Sequence, residues 1–304
     1  PITVAFAGDV HGEPPIEDAL TQGDNPLAAV SSILSAADIA VINLETPIST
    51  LGTPAEKTFA FRADPALATA LSQAGVDVVN MANNHGLDYG HAAAEQTRSL
   101  VAAAGMQAVG YGTDADSAYS PALFDVGGRT VAVVGLTRVL PTIDWAATGS
   151  RPGMASAYDL QAAVTAVRQA AAVADHVVVT IHWGRERYTC PDGDQLALAS
   201  ALAAAGADVI AGHHSHVLQG VQQIDDTLVA YSLGNFVFYA RTPATRQTGV
   251  FTVTLDEDGV TDHTWVPAQI DGRGQPHPVA SQAPIPQGET LTALSSGPQC
   301  GPPR

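Results

Sequence analysis

Five short polar segments each end an apolar run, and this placement constrains the fold of the chain more than any other feature. The apolar runs are β-rich and cover residues 2–8, 38–43, 76–82, 176–181 and 208–212. The polar segments contain Asp9 and His11, Glu45, Asn84 and His85, His182, and His214 with His216. Because open α/β sheets build their sites at the carboxyl ends of strands, we expect these side chains to meet at one sheet edge.

Ala-rich stretches of helical character alternate with the strand-like runs, and this alternation predicts an α/β fold. The stretches cover residues 26–37, 65–74, 91–104, 157–174 and 195–205. Regions 122–137 and 217–270 contain turn signals between apolar arms, which indicates hairpins and therefore mixed sheets. We predict one domain over residues 1–275 and a Pro/Gly/Ser-rich tail over 276–304.

Composition supports a globular protein. The chain has 304 residues, of which 46% are hydrophobic and 14% charged, enough to bury a full core. No stretch approaches the roughly 18 uninterrupted apolar residues of a membrane span. The net charge is -17 and Lys57 is the only lysine, so the field of the molecule repels polyanions and disfavours nonspecific nucleic-acid binding.

The two cysteines bear on the compartment. Cys190 and Cys300 have no CxxC spacing, and they fit either one disulfide in an oxidising compartment or two unrelated thiols. A disulfide would hold the C-terminal tail beside the loop that follows His182. We expect an extracytoplasmic protein, secreted or surface-anchored, whose N-terminal signal has been removed.

The donor types in the five segments predict a metal centre. Asp, Glu, Asn and neutral His supply oxygen and nitrogen donors without a thiolate, which suits Mn, Fe, Zn or Co. Asp9 with His11, and His214 with His216, alternate along the chain and can aim two donors at one cavity. Glu45 is the candidate for a carboxylate that bridges two ions. We therefore expect two divalent ions, which would activate water and bind a phosphoryl or carbonyl oxygen.

Longer motifs carry a family resemblance. They are GDVH at 8–11, NLETP at 43–47, ANNH at 82–85, HWG at 182–184, GHHSHVLQG at 212–220 and YSLGNF at 231–236. In this order they resemble the CapA family of the calcineurin-like metallophosphoesterase superfamily, whose members are associated with poly-γ-glutamate capsule synthesis or export. The resemblance implies a four-layer αββα sandwich with two central mixed sheets and metals at one edge.

The resemblance also implies roles for single residues. Its ligand set for one ion is Asp9, His11 and His216, and for the other Asn84, His182 and His214, with Glu45 between the two. His85 matches the histidine that supports the transition state or protonates the leaving group, and its alternative role is a hydrogen bond to a ligand. The bridge of the superfamily is usually Asp, so the longer Glu45 alters the metal spacing or favours a single ion. His11 completes a ligand set that many CapA-like chains lack, which favours hydrolysis.

Other polar side chains near these segments are candidates for supporting roles. The substrate candidates are Trp183, Arg185 and Asn235. Arg185 would bind an anion, or else lie in a salt-bridged surface loop, and Asn235 would contact substrate or cap its turn. Candidates for hydrogen bonds behind the ligands are Asn43, Asp88 and His213. Segment 46–62 is long and polar, which fits either a lid over the site or a surface excursion.

Two functional classes fit these observations. The first is a divalent-metal-dependent hydrolase of the cell envelope that acts on a phosphoester or, as second choice, a γ-linked amide. The second is a non-catalytic accessory that binds or exports polymer. The expected partners are an anionic small-molecule or polymer substrate, with poly-γ-glutamate as the candidate, and the envelope polymer-synthesis machinery. A ligase is disfavoured because the chain has no Gly-x-x-x-x-Gly-Lys-Ser/Thr loop to bind ATP.

Overall fold

The computed structural model describes residues 1–280, which build two large β-sheets, one small sheet and short connecting helices. The strands are β1 (Ile2–Val10), β2 (Ile39–Leu44), β3 (Val78–Asn80), β4 (Gln107–Val109), β5 (Tyr111–Gly112), β6 (Ala122–Val126), β7 (Arg129–Thr137), β8 (Gly153–Met154), β9 (His176–His182), β10 (Val209–His213), β11 (Val221–Ile224), β12 (Thr227–Ala230), β13 (Asn235–Val237), β14 (Gln247–Asp256), β15 (Gly259–Ile270) and β16 (Pro276–Pro278). The helices are α1 (Ile16–Thr21), α2 (Ser31–Leu34), α3 (Ala66–Gln73), α4 (Gly90–Ala103), α5 (Ala115–Tyr119), α6 (Leu160–Ala171), α7 (Gly193–Ala203) and α8 (Pro243–Arg246), with a 3-10 turn at Ile143–Trp145.

Both large sheets are mixed. The first has the order β16-β15-β14-β1-β2-β3-β4, with β13 paired to the end of β1, and the second has the order β11-β12-β10-β9-β7-β6. The central strands β1 to β4 pair in parallel, as do β7, β9, β10 and β12. Hairpins β6–β7, β11–β12 and β14–β15 supply the antiparallel edges. Parallel strands end at a common edge, so the topology gathers the residues that follow β1, β2, β9 and β10.

Three apolar layers hold the sheets and helices together. Along β1, Val4 and Phe6 pack in a layer between the two sheets, while Ala5 and Ala7 face a layer on the outer side with residues of α3 and α4. A third layer joins the second sheet to α6 and α7. Strands buried on both faces read as continuous apolar runs, which explains the pattern seen in the sequence. This arrangement confirms the predicted αββα fold class.

The parallel strands begin at an edge that contains four aspartates, here called the aspartate edge (Asp38, Asp77, Asp175 and Asp208). Each side chain accepts the backbone N–H of a residue on the neighbouring strand, and each aspartate N–H donates back to a carbonyl of that strand. The side-chain pairs are Asp38 with Thr3 at 2.8 Å, Asp77 with Ala40 at 2.8 Å, Asp175 with Thr130 at 2.7 Å, and Asp208 with Val177 at 2.7 Å. These bonds satisfy polar groups where the ladder begins and fix the strand register.

Some predicted bounds differ from the structure. The helix predicted over 26–37 is a single turn, Ser31–Leu34, preceded by turns. The predicted tail begins with β16, which pairs with β15, and residues 281–304 lie outside the described part of the chain. Cys190 is buried, whereas its predicted partner Cys300 lies outside the described residues. Within residues 1–280, none of the helices combines the length and the apolar character that crossing a membrane requires.

Candidate metal centre

The carboxyl ends of four strands bring most of the predicted donors into one buried cluster. Asp9 lies at the end of β1, Glu45 directly follows β2, His182 ends β9, and a turn after β10 supplies His214 and His216. Across the two sheets, His182 Nε2 lies 3.4 Å from Glu45 Oε1, and His216 Nδ1 lies 3.2 Å from Asp9 Oδ2. Only His216 retains appreciable exposure, with 16% of its side chain accessible.

Three donor sets in residues 1–280 have ligand atoms within 4.8 Å of one another. They are Glu45 with His182 and His214, Asp9 with Glu45 and His216, and Glu186 with His214 and His216. Glu45 belongs to the first two sets. Glu186 had not been predicted as a donor, and it is exposed in the loop after His182.

The residues present fit a divalent cation. Both carboxylate oxygens of Glu45 are buried and have no hydrogen-bond partner among the described residues, and the same is true of His214 Nδ1. A buried carboxylate without a partner is costly unless a cation neutralises it. Burial, reinforced by the charge of Asp9, raises the pKa of Glu45 to about 8. Oxygen and imidazole donors without a thiolate suit Mn, Fe or Zn.

A protonated histidine carries positive charge in this cluster. Burial lowers the pKa of His216, but the charge of Glu45 and a hydrogen bond to Asp9 outweigh it and raise the pKa to about 10. Burial alone would raise the pKa of Asp9, yet the bond to His216 and the nearby imidazoles hold it well below its usual range. A cation that bound here would displace the His216 proton.

The other histidines of the cluster are neutral, which is the form that binds metals. Burial lowers the pKa of His182 to about 3 and that of His213 to about 4. It also lowers the pKa of His214 well below the usual range. These imidazoles are therefore available as donors at neutral pH.

The turn that follows β10 aims two imidazoles at the cluster at a conformational cost. His214 has φ 88° and His216 has φ 56°. Residues with a Cβ rarely adopt such positive φ angles, and each one costs about 1–3 kcal/mol of conformational energy. The turn is held in place partly by the His214 N–H, which donates to Asp9 Oδ2 at 3.3 Å. At Gly212 a Cβ would lie 2.1 Å from the Tyr231 oxygen, so glycine permits the close strand approach.

Asparagines support the ligands from behind. Asn43 Nδ2 donates to Asp9 Oδ1 at 2.9 Å and lies 3.1 Å from His182 Nδ1, while its Oδ1 accepts from Asn80 at 3.1 Å. Asn84 Oδ1 lies 2.7 Å from His182 Nε2, beside the first donor set. The sequence pattern pointed to Asn43 and Asn84 but not to Asn80, which lies inside the apolar run 76–82 and ends β3.

His11 belongs to none of the three donor sets. Its ring packs among Phe61, Phe238 and Tyr239, with the Phe238 ring centroid 3.9 Å away. Nδ1 accepts from the Glu13 N–H at 3.0 Å, and Nε2 lies 3.2 Å from the Tyr239 nitrogen. The sequence prediction allowed either an extended or a tightly turning segment at Asp9 and His11, and the pairing register of β1 shifts next to Asp9.

The three substrate candidates occupy different environments. Trp183 is fully buried in the core, donates to the Tyr231 carbonyl at 2.8 Å and offers no surface to a substrate, which differs from the prediction. Arg185 is exposed and lies over the Tyr188 ring. Asn235 Oδ1 lies 2.8 Å from His216 Nδ1, so Asn235 orients this imidazole.

His85 and His213 both contact polar side chains of the site. His85 Nδ1 lies 2.6 Å from Asp88 Oδ2, and Asp88 Oδ1 accepts from Lys57 at 2.7 Å. His213 Nε2 lies 3.0 Å from Thr180 Oγ1, and its Nδ1 lies 3.8 Å from Asp9 Oδ1. Lys57 was not among the predicted site residues. That it is the only lysine of the chain was the one sequence feature that could have drawn attention to it.

A cavity of about 180 Å³ opens beside the cluster. Its lining includes His85, His216, Asn235, Glu186, Arg187, Arg241 and the aromatic residues Phe59, Phe61, Phe238 and Tyr239. The arginines beside the cluster are therefore Arg187 and Arg241, and Arg185 is not part of the lining. A larger hollow of about 670 Å³ lies between α5 and α6, but it contains none of the three donor sets.

Comparison with known proteins places the chain among capsule proteins. The family described as "Bacterial capsule synthesis protein PGA_cap" matches residues 3–240. The PGA biosynthesis protein CapA of Bacillus subtilis is 32% identical over 85% of this chain and 69% of its own length. The capsule biosynthesis protein CapA of Bacillus anthracis is 31% identical over 92% of this chain and 70% of its own length.

A solved structure supports the fold. A hypothetical protein from Thermus thermophilus superposes with a TM-score of 0.56 at 16% identity, covering 88% of this chain and 99% of that one. At this identity the likeness concerns the fold alone. The site itself rests on the geometry described above.

Proposed function

The chain belongs to the bacterial capsule synthesis protein PGA_cap family, and from this premise we propose that it is an extracytoplasmic, divalent-metal-dependent hydrolase of the cell envelope. It acts on an anionic substrate during poly-γ-glutamate synthesis or export, together with the polymer-synthesis machinery. The expected bond is a phosphoester, and a γ-linked amide is the second choice. The observation that carries the proposal is Glu45, a fully buried carboxylate without a hydrogen-bond partner among the described residues that two donor sets share.

Two ions fit the cluster. Asp9, Glu45 and His216 would hold one, and Glu45, His182 and His214, with Asn84 beside them, would hold the other. Divalent ions there supply Lewis-acid charge to the reacting group. The asparagines behind the ligands keep the carboxylate and imidazole groups in place, which preserves metal affinity.

The residues of the cavity bind and orient the substrate. Arg187 and Arg241 place two guanidinium groups at the opening of the cavity. Because the protein as a whole carries a net charge of -17, an anionic substrate needs this local positive charge in order to bind. Phe59, Phe61 and Tyr239 line the same cavity and give it an apolar wall. His85 presents a ring nitrogen to this cavity, where it donates or accepts a proton as the bond breaks.

Metal content and turnover test the proposal together. The purified protein is analysed for metals and assayed with an aryl phosphodiester and an aryl monoester, with and without added Mn. We expect two divalent ions per chain and metal-dependent turnover, which Glu45→Gln removes and Arg185→Ala retains. A protein without metal and without turnover would contradict the hydrolase.

A binding or export accessory is the second candidate. A probable polyglutamine synthesis accessory protein of Mycobacterium tuberculosis is 33% identical over 67% of this chain and 56% of its own length. His11 also faces aromatic rings and backbone amides instead of the donor sets, which leaves a smaller ligand set for hydrolysis. Binding of poly-γ-glutamate without turnover, retained in Glu45→Gln and lost in Arg187→Ala, would favour this candidate.

A further inference from the structure

Lys57 makes three close contacts at the rim of the site. Its Nζ donates to Asp88 Oδ1 at 2.7 Å and to the Asn84 carbonyl at 2.6 Å, and it lies 3.3 Å from His85 Nδ1. Asp88 is fully buried, and its second oxygen accepts from the Phe61 N–H at 2.6 Å. The only lysine of the chain thus forms an ion pair with Asp88, the carboxylate that also contacts His85.

These contacts define the state of the His85 ring. Asp88 Oδ2 lies 2.6 Å from His85 Nδ1, and because Asp88 is ion-paired with Lys57, its carboxylate accepts a hydrogen bond from the Nδ1–H group. Phe61 stacks on the imidazole with centroids 4.0 Å apart and planes 11° apart, which fixes the ring plane. Nε2 remains as the ring nitrogen available to the cavity that His85 lines.

Segment 46–62, which carries Lys57 and Phe61, is tied down along its length. Ser49 Oγ donates to Gln96 at 2.6 Å, and the Ala55 N–H donates to the Asp88 carbonyl at 2.7 Å. Near its end, Arg62 packs over the Tyr89 ring at 4.4 Å. The segment therefore forms a strap that these contacts hold against the site.

We propose that Lys57 is a positioning residue. By binding Asp88 and the Asn84 carbonyl, it holds His85 as the Nδ1–H tautomer with Nε2 toward the cavity. The strap thereby determines that Nε2 is the ring nitrogen that exchanges a proton with the substrate. The inference rests on the proposed function for its chemical consequence. Its structural part, the tautomer and its dependence on Lys57, stands independently of turnover.

A matched pair of variants tests the catalytic consequence. Lys57→Met removes the ammonium but keeps the chain length, while Arg62→Met removes a cation from the same strap that contacts Tyr89 and not Asp88. With an aryl phosphodiester and Mn, Lys57→Met should lower kcat by about 10- to 100-fold with little change in KM, because substrate binding does not use Lys57. Arg62→Met should keep wild-type kcat. Equal losses in both variants, or a Lys57→Met effect on KM alone, would overturn the proposal.

Nitrogen-15 NMR of the metal-free protein tests the tautomer without any assay. The unsubstituted chain should show His85 with its proton on Nδ1, and Lys57→Met should lose this single tautomer. A proton on Nε2 in the unsubstituted chain, or the same single tautomer in Lys57→Met, would overturn the proposal even if the variant loses activity. Since this measurement uses no substrate, a protein that shows the expected tautomer but no turnover contradicts the proposed function and not the role of Lys57.

Discussion

Acidic side chains occur at both edges of the parallel strands, and their surroundings are opposite. At the aspartate edge, every carboxylate accepts a backbone N–H from the neighbouring strand, at 2.7–2.8 Å. The opposite edge carries the candidate metal centre and is here called the metal edge. There Glu45 is fully buried, and neither of its carboxylate oxygens has a hydrogen-bond partner among the described residues. Two histidines there also adopt left-handed backbone conformations. The first edge therefore serves stability, whereas the second keeps unpaired donors for a ligand.

The largest expected effect is at the metal edge. Replacing His214 and His216 by Ala removes donors from all three sets, so metal affinity should fall by at least about 100-fold. Elemental analysis after dialysis measures the effect, and Asp208→Ala is the control from the aspartate edge. Unchanged metal content in the double variant would sink the ligand assignment.

The second largest effect is expected in the pH dependence of stability, which reports on the buried groups of the metal edge. The pKa of Glu45 rises from 4.5 to about 8 on folding and that of His216 from 6.5 to about 10. Both groups bind protons more tightly when folded, so in chelator the free energy of unfolding should fall as pH rises from about 6.5 to 10, by a few kcal/mol.

Bound metal should reverse this dependence, so that the free energy of unfolding rises with pH, because metal binding requires deprotonated ligands. Urea unfolding at several pH values, with EDTA and with Mn, measures both curves. A metal-free protein whose stability is flat or rises between about pH 6.5 and 10 would contradict the charge arrangement in the cluster.

A smaller effect is expected at the aspartate edge. Asp208→Ala leaves the Val177 N–H without its partner, which should lower the free energy of unfolding by about 1–2 kcal/mol. Asp208→Asn keeps an acceptor oxygen and should restore most of the loss. Metal content should be unchanged in both variants. Denaturant titration that found Asp208→Ala as stable as wild type would show that this edge does not hold the register.

The strand ends were predictable because their chemistry follows sequence periodicity. Asp9, Glu45, His182 and the histidines after β10 each follow an apolar run, and parallel strands gather such residues at one edge. The α/β class followed from the same alternation, and the resemblance to the CapA family implied the αββα sandwich.

Other features depend on tertiary geometry that periodicity does not report. His11 lies among aromatic rings beyond a register shift at Asp9. Lys57 reaches Asp88 across 31 positions of the chain. The aspartate edge left a visible sequence signal, since an aspartate lies at or next to the start of four apolar runs. Its meaning became clear only when the neighbouring strand supplied the N–H that each carboxylate accepts.

The smallest expected effect comes from the exposed member of the aspartate edge. Asp38 Oδ2 accepts from both the N–H and the hydroxyl of Thr3 at 2.8 Å, but water can replace it because the site is exposed. Asp38→Ala should therefore cost only about 0.5 kcal/mol, less than Asp208→Ala at its partly buried position. Thermal unfolding of both variants under one condition gives the comparison. A larger loss for Asp38→Ala would mean that pairing at the start of β1, and not burial of the acceptor, determines what each aspartate contributes.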